Sequence, residues 1–195
     1  MMERLAAVAV SLGAAILVTA CLSSPARFYT LSAAAAPVQP PLMVSIMVGP
    51  VAVPATVDRP QIVVTTGANQ VSIDEYSRWA SPIQDNIARV VAENLGQILG
   101  TPRVTLYSSP LGAETDYRVQ IEVRTFESAP GKEAALDAVW TVRRMKDGKT
   151  ETGRTAAREA VQGEGFEALA AAHSRALAKM SEGIATAVRT VDRAS

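Results

Sequence analysis

The chain has few side chains that could carry out covalent chemistry. Its 195 residues include one Cys, Cys21, and one His, His173. A single Cys cannot form an internal disulfide, and one Cys with one His cannot build a Cys/His zinc cluster. Cys21 follows Val18, Thr19 and Ala20, and small residues there suit a peptidase that needs narrow side chains beside the bond it cuts. The thiol of Cys21 can then carry a thioether-linked diacylglycerol.

The region before Cys21 has the pattern of a targeting segment. The run from Leu5 to Val18 is almost wholly apolar, and its length of about 14 residues is typical of a signal-peptide core and too short to span a bilayer. Together with the small residues before the Cys, it resembles a bacterial lipoprotein signal with its lipobox. We predict that residues 1–20 are a signal peptide and that Cys21 carries a diacylglycerol and an N-acyl chain such as palmitate. An ordinary secretory signal followed by a Cys is the alternative.

Charge and composition exclude several classes of partner. The chain has 19 Lys and Arg against 19 Asp and Glu, with no basic block. Neither nucleic acid nor an anionic lipid surface is therefore expected to bind through charge. Residues 1–20 hold one Arg and one Glu, so the mature body stays balanced at 18 against 18. Attachment to a membrane is expected to come from the lipid on Cys21.

The other chemistry-bearing residues do not form a recognisable catalytic set. The sequence has no G-x-G-x-x-G and no P-loop, so nucleotide binding is not expected. His173 falls on an apolar helical stripe and is expected to pack in the core. Asp74 and Glu75 are adjacent, and neighbours on an extended chain point to opposite faces, so they are not expected to share a proton. We predict no enzymatic activity, no metal and no cofactor other than the lipid on Cys21.

Two short segments carry residue types that are common in protein interfaces. Trp and Arg are enriched at binding hot spots, and Arg78-Trp79 comes just before a predicted helix. We predict that Arg59, Arg78 and Trp79 bind a partner. The alternatives are that Trp79 packs beneath the loop with Arg78 pairing locally, and that Arg59 lies in a turn that leads into a strand.

The N-terminal part of the mature chain is rich in Ser, Ala and Pro. We predict a lipidated N-terminus and connector over residues 21–41, followed by one folded domain over residues 42–195. A short β-type run, Phe28–Leu31, lies inside the connector. If this run joins a sheet, the free tether shortens to about seven residues and reaches at most about 25 Å, so that the body would lie against its membrane.

Hydrophobic periodicity predicts the elements of the body. Met43–Val48 leads into Gly49–Pro54, a strand broken by two prolines and therefore expected at an edge. Ser81, Pro82 and Gln84 predict a capped helix over about 82–99 that Gly100 ends. The other predicted elements are the hairpin Gln61–Thr65 with Gln70–Ile73, a strand at Val104–Tyr107, the antiparallel strands Tyr117–Arg124, Leu136–Val142 and Thr150–Ala160, and a helix over about 166–191.

These elements predict an α+β fold. Two amphipathic helices and a one-sided antiparallel sheet can bury each other's apolar faces, so the expected architecture is a two-layer sandwich. The apolar faces of the helices are expected to be used in the core rather than to form a groove for lipid tails.

Several motifs of the chain occur together in one known family. They are Phe28–Leu31 after the lipobox, Val48–Pro54 followed by Asp58–Val63, Arg78-Trp79-Ala80 with Pro82, and Ile87–Leu95. With these motifs the chain resembles the ABC-transport auxiliary lipoproteins of PqiC (YmbA) type. Recognisable motifs run from Cys21 to about Leu99, and Ser81 stands where the family has an acidic residue.

The resemblance implies a non-enzymatic envelope component. Such lipoproteins accompany an MCE-domain protein and an inner-membrane permease, often with an ATPase, in moving phospholipids and preserving outer-membrane integrity. Leu22 is not Asp, the residue that retains lipoproteins at the inner membrane, so the periplasmic face of the outer membrane is expected; a homo-oligomer is also possible. The rivals are a pilotin-like or assembly-factor lipoprotein that escorts another envelope protein, and an envelope hydrolase that uses carboxylates.

Overall fold

The computed structural model describes residues 25–38, 40–109 and 114–193. This part of the chain forms eight strands and two helices. In chain order they are β1 (Arg27–Tyr29), β2 (Ile46–Ala52), β3 (Gln61–Gly67), β4 (Gln70–Trp79), α1 (Ile83–Leu99), β5 (Val104–Leu106), β6 (Tyr117–Ala129), β7 (Glu133–Arg144), β8 (Thr150–Ala160) and α2 (Gly165–Arg193).

The α+β class is confirmed, and the main sheet is mixed rather than antiparallel. Its strand order is β5-β2-β6-β7-β8. The antiparallel meander β6-β7-β8 is as predicted, whereas β2 runs parallel to both β5 and β6. The chain crosses over through α1 between β2 and β5, and a crossover of this kind brings the next strand back in the same direction.

A second, three-stranded sheet has the order β1-β4-β3. The hairpin β3–β4 is as predicted, and β4 continues to Trp79. The short run predicted at Phe28–Leu31 contributes β1, which pairs in parallel with the end of β4 so that Phe28 lies opposite Arg78 and Tyr29 opposite Trp79. We call this unit the small sheet.

The prediction that β2 is an edge strand is wrong. β2 lies between β5 and β6, although β5 pairs only with its first half, Ile46–Val48. Pro50 falls where the pairing with β6 shifts register, between Val48 and Val51. A proline has no N–H to donate to a neighbouring strand. Pro50 is tolerated in this inner strand because it lies beyond the end of β5 and at the register shift with β6.

The start of α1 also differs from the prediction. The residue before the first helical turn is Pro82 rather than Ser81, and no side chain caps the helix. The carbonyl of Pro82 instead accepts hydrogen bonds from the backbone N–H groups of Asp85 (3.1 Å) and Asn86 (3.0 Å). Ser81 lies one position too far from the helix to cap it. The C-terminal end is as predicted, with Gly100 in the left-handed conformation at φ 64°.

The two helices lie side by side and cover one face of the main sheet. Their apolar stripes are buried in the core, where Ile87, Leu95, Leu177 and Val188 are all fully enclosed. On β6, buried residues alternate with residues on the opposite face, as expected for a sheet with one covered side. The apolar faces of the helices are thus used in packing against the sheet.

The segment that follows β1 is part of the body. Leu31 and Ala35 are 1% and 8% exposed. The side-chain oxygen of Asn94 accepts the backbone N–H groups of Ala34 and Ala35, both at 3.0 Å, and that of Asn86 accepts the N–H of Leu31 at 3.3 Å.

The helical layer makes two further contacts with this segment. Arg89 donates to the carbonyl of Leu31 (2.6 Å), and the hydroxyl of Ser174 on α2 accepts the N–H of Ser32 (3.1 Å). The structure therefore differs from the predicted connector over residues 21–41, because specific acceptors on α1 and α2 order the chain from β1 onward.

Replacing Asn94 by Ala is expected to lower the free energy of unfolding by about 2 kcal/mol, because it leaves buried backbone donors without an acceptor. The measurement is urea unfolding of the full-length protein in detergent. Gln97→Ala changes an exposed residue of the same helix and should stay within about 0.5 kcal/mol of the unmodified protein. Equal stability of the two variants would contradict the role given to Asn94.

Candidate functional site

The predicted lipidation residue, Cys21, and its neighbour Leu22 lie outside the described residues, so both remain predictions. Their position along the chain still sets a geometric limit. β1 begins at Arg27, which follows Cys21 by six positions, so the chain between their Cα atoms can span at most about 20 Å when fully extended. A lipid on Cys21 would therefore hold the start of β1 within that distance of the lipidated residue.

The structure brings two of the predicted contact residues to one end of the small sheet. The N–H of Trp79 donates to the carbonyl of Pro60 (2.7 Å), which fixes the turn that carries Arg59 beside the end of β4. Gln61 at the start of β3 lies opposite Arg78. Arg59 is exposed and Arg78 is half-buried, so both remain predicted contact residues.

Trp79 lies in the core. Its side chain is 5% exposed, and its ring packs edge-on against Phe126 and His173, with centroids 6.2 Å and 6.4 Å away. An indole buried in this way offers no surface to a partner in this conformation. The structure thus favours the alternative in which Trp79 packs, and we do not include it in the candidate surface.

His173 is the centre of this buried cluster. Its ring stacks on Phe126 at a centroid distance of 3.9 Å, and its Nε2 is 2.8 Å from the hydroxyl of Ser128. Burial lowers the pKa of His173 to about 3, so the imidazole is neutral at physiological pH. His173 and Ser128 are 0% and 2% exposed, which closes the pair to a substrate and gives it a structural role.

The adjacent acids on β4 act separately, as the sequence predicts. Asp74 accepts hydrogen bonds from the backbone N–H groups of Tyr76 (3.0 Å) and Ser77 (2.6 Å). Glu75 accepts one from the side-chain amide of Gln61 (3.4 Å). Asp74 thereby holds the local turn at which the pairing of β3 with β4 shifts register.

That register shift produces a polar and aromatic outer face on the small sheet. Tyr76 and Arg78 alternate with the buried Ser77 and Trp79, so they point away from the core. Phe28 shares this side because it lies opposite Arg78. We call the surface formed by Phe28, Gln61, Tyr76 and Arg78 the outer face.

Two aromatic rings on the outer face were not singled out in the sequence. Phe28 is 65% exposed and Tyr76 is 48% exposed. Alternation with the buried Trp79 is the one sequence signal that could have placed Tyr76 outside. No local signal could have placed Phe28, since its orientation depends on the pairing of β1 with β4.

The opposite end of the molecule is held by a polar cluster at the end of α2. The hydroxyl of Tyr117 donates to Asp192 (2.9 Å), and burial together with this carboxylate raises the pKa of Tyr117 to about 12. Arg144 donates to the carbonyl of Val191 (2.6 Å) and pairs with Asp147 (2.6 Å). These contacts tie the C-terminal end of α2 to the first residue of β6 and to the last residue of β7.

The two ends are separated by the length of α2. Tyr29 packs on Phe166 in the first turn of α2, at a ring distance of 5.7 Å, whereas Tyr117 bonds to Asp192 in its last turn. At 1.5 Å per residue these turns are about 40 Å apart. We call the surface around Asp192 the far end, and it carries the exposed Met43 as well as Met145.

Two further findings concern residues 25–38, 40–109 and 114–193. Within these ranges no group of three His, Cys, Asp or Glu side chains could hold a metal ion. No helix there is both long and apolar enough to cross a membrane.

A family model described as "ABC-type transport auxiliary lipoprotein component" matches residues 29–185, which is most of the chain. The match begins within β1, in agreement with a body that starts there rather than at residue 42. Comparison with curated proteins finds no match.

Two solved structures share the fold. The crystal structure of an uncharacterised protein has a TM-score of 0.68 at 22% sequence identity and covers 85% of this chain and 99% of that chain. The crystal structure of protein XCC0632 from Xanthomonas campestris, assigned to the family DUF330, has a TM-score of 0.65 at 18% identity, with coverages of 86% and 99%. At such identities the likeness shows the fold alone.

The buried His173 predicts a specific pH dependence of stability. The unfolded chain takes up a proton on this residue near its ordinary pKa of 6.5, whereas the folded chain does so only near 3. Between these values the unfolded state binds more protons, so stability falls as the pH falls. We expect the free energy of unfolding to drop by about 2 kcal/mol between about pH 7.5 and about pH 5.

The control for this prediction is His173→Gln, because the chain has one His. Urea unfolding of this variant should show little pH dependence in the same window, whatever its absolute stability. Asp147, whose pKa is lowered to about 2 by Arg144, is present in both proteins, so its contribution cancels in the comparison. An equal pH dependence in both proteins would contradict the assignment.

Proposed function

The chain belongs to the family of ABC-type transport auxiliary lipoprotein components, and we propose that it is the lipid-anchored, non-enzymatic subunit of an MCE/ABC-type phospholipid transport system that supports outer-membrane integrity. The observation that carries this proposal is the family match over residues 29–185, which includes nearly all of the folded body. Lipoproteins of this kind are envelope components, so the site of action is a membrane surface facing the periplasm.

The geometry of the N-terminus supports an anchoring role for Cys21. The chain is part of the body from Arg27 onward, because β1 pairs with β4 and the segment after it is bonded to α1. A lipid on Cys21 would hold such a body close to the bilayer. Leu22 in place of Asp favours the outer membrane as the final location.

The distribution of polar chemistry supports a non-enzymatic subunit. His173 and Ser128 are enclosed in the core, and Asp74 is engaged by two backbone N–H groups. The predicted contact residues at the small sheet are the exposed Arg59 and the half-buried Arg78, and both can make polar contacts with a partner. We propose that the subunit has no catalytic step of its own. It is held at the membrane by its lipid and binds an MCE-domain protein and a permease/ATPase complex.

A pilotin-like or assembly-factor lipoprotein remains the second candidate. A lipid anchor and a compact α+β body would serve that role equally well. The family match favours the transport role, because its description names ABC-type transport.

Replacing Cys21 by Ala is expected to abolish labelling by a clickable palmitate analogue and to move the protein from the membrane fraction to the soluble periplasmic fraction. Circular dichroism of the released protein should match that of the lipidated form, because Cys21 lies outside the folded body. Leu22→Asp is the matched control for sorting. It should keep the label and shift the protein to the inner membrane. Palmitate labelling that persists in C21A would contradict the anchor.

Partner identity is tested by chemical crosslinking in intact cells that express the full-length lipidated protein. We expect an MCE-domain protein or a permease subunit among the captured proteins, and we expect that crosslinked product to be absent in a strain that lacks the captured partner. Capture of a secretin or a β-barrel assembly protein instead would favour the second candidate. Arg59→Glu and Arg78→Glu test the predicted contact residues in the same experiment, and unchanged capture in both would remove them from the partner surface.

A further inference from the structure

The outer face of the small sheet exposes aromatic side chains directly beside the point where the chain leaves the body. Phe28, which is 65% exposed, is the second residue of β1, and Tyr76, which is 48% exposed, lies on the same face. Single exposed apolar side chains are common, but large ones grouped on one face mark a surface that contacts a partner or a membrane. Their position next to the N-terminal segment is the observation from which the inference starts.

We propose that the outer face contacts the lipid bilayer that holds Cys21, with the rings of Phe28 and Tyr76 in the interfacial region. This proposal rests on the lipidation of Cys21. Phe28 follows Cys21 by seven positions, so its Cα atom can lie at most about 25 Å from that of the lipidated residue. Aromatic rings with an apolar body are favoured at the membrane–water interface, where the ring enters the acyl boundary and a hydroxyl such as that of Tyr76 stays hydrated.

The size of the gap disfavours a folded protein as the occupant of this face. A domain of 100 residues has a radius of gyration of about 13 Å, so its diameter exceeds the gap of at most about 20 Å that the chain from Cys21 to Arg27 can leave between β1 and the membrane. A bilayer does not have to fit between β1 and the membrane, because it is itself the membrane that holds the lipid on Cys21. The same short tether that limits access for a protein brings the outer face to the lipid.

The charges at this end indicate that the contact is apolar in character. Arg27, Arg59 and Arg78 are offset by Asp58 and Glu75, which are exposed in the same region. Arg78 also donates from its Nε to the carbonyl of Glu75 (3.1 Å). With nearly balanced charges, attraction to anionic headgroups is a small contribution, and the burial of aromatic surface dominates. The contact is therefore expected to form on zwitterionic phosphatidylcholine as well as on anionic vesicles.

The test places an environment-sensitive fluorophore at each end of the full-length lipidated protein. Phe28→Cys carries the label on the outer face, and Met43→Cys carries it at the far end. The two positions are matched, since their side chains are 65% and 64% exposed, and the lipid blocks the thiol of Cys21. Each protein is reconstituted in phosphatidylcholine vesicles that contain a doxyl-labelled lipid as quencher, and vesicle flotation confirms attachment.

We expect about twofold quenching and a blue shift for F28C and no change for M43C, because only the outer face reaches the interface. Addition of phosphatidylglycerol or salt should leave both signals unchanged. Tyr76→Cys reports from the same face and should behave as F28C does, so the result does not depend on one substitution in β1.

Three outcomes would overturn the proposal. The first is no quenching at positions 28 and 76 in protein that floats with the vesicles, and the second is equal quenching at both ends. The third is efficient crosslinking of a protein partner in cells by a photoreactive residue at position 28. Protein that does not float would instead contradict the lipidation of Cys21, so failure of the anchor is distinguished from failure of the membrane-contacting face.

Discussion

Two buried asparagine side chains on α1 hold the N-terminal segment against the helical layer, and the placement of β1 at the edge of the small sheet depends on them. A segment rich in Ala and Pro has little side-chain surface with which to pack, so its backbone N–H groups must find specific acceptors if it is to be ordered. Asn94 accepts two of them and Asn86 accepts a third. Once this segment is fixed, the residues before it are placed where β1 can pair with β4, and the free chain between Cys21 and the body becomes short.

The small sheet is connected to the core through the aromatic cluster on its inner side. Trp79 packs against Phe126 of β6 and His173 of α2, so the end of β4 is held by the main sheet and by a helix at once. The alternation of β4 then fixes what lies outside. Because Ser77 and Trp79 are buried, Tyr76 and Arg78 must face away from the core. The alternation at the end of β4 therefore gives the small sheet an inner face that packs on the core and an outer face that is exposed to solvent.

The sequence predicts those elements whose signals are local, and it misses those that depend on distant partners. The alternation of β6 and the apolar stripes of both helices are visible within a few consecutive residues of the sequence. The ends of the meander strands and of the helices are therefore predicted to within a few residues. The order of residues 27–38 depends on Asn94, about 60 residues further along the chain, so composition alone indicated a flexible connector. The place of β2 depended on pairing with β6, and its prolines indicated an edge. At the candidate site Cys21 is found from its neighbours, whereas the exposure of Phe28 follows from the pairing of β1.

A short tether and a long body together restrict which surfaces remain available for a partner. α2 separates the small sheet from the far end by about 40 Å, so a body that stands on its outer face directs Met43, Met145 and the polar cluster around Asp192 away from the membrane. The Arg144–Asp147 and Tyr117–Asp192 contacts fix these side chains relative to one another, and side chains that are already positioned lose less entropy on association. If the outer face is occupied by lipid, a partner that arrives from across the periplasm meets the far end or the sides of the body first. The predicted contact residues Arg59 and Arg78 would then bind beside the membrane or serve the membrane itself, and these two roles are distinguished by whether Phe28 contacts lipid or protein.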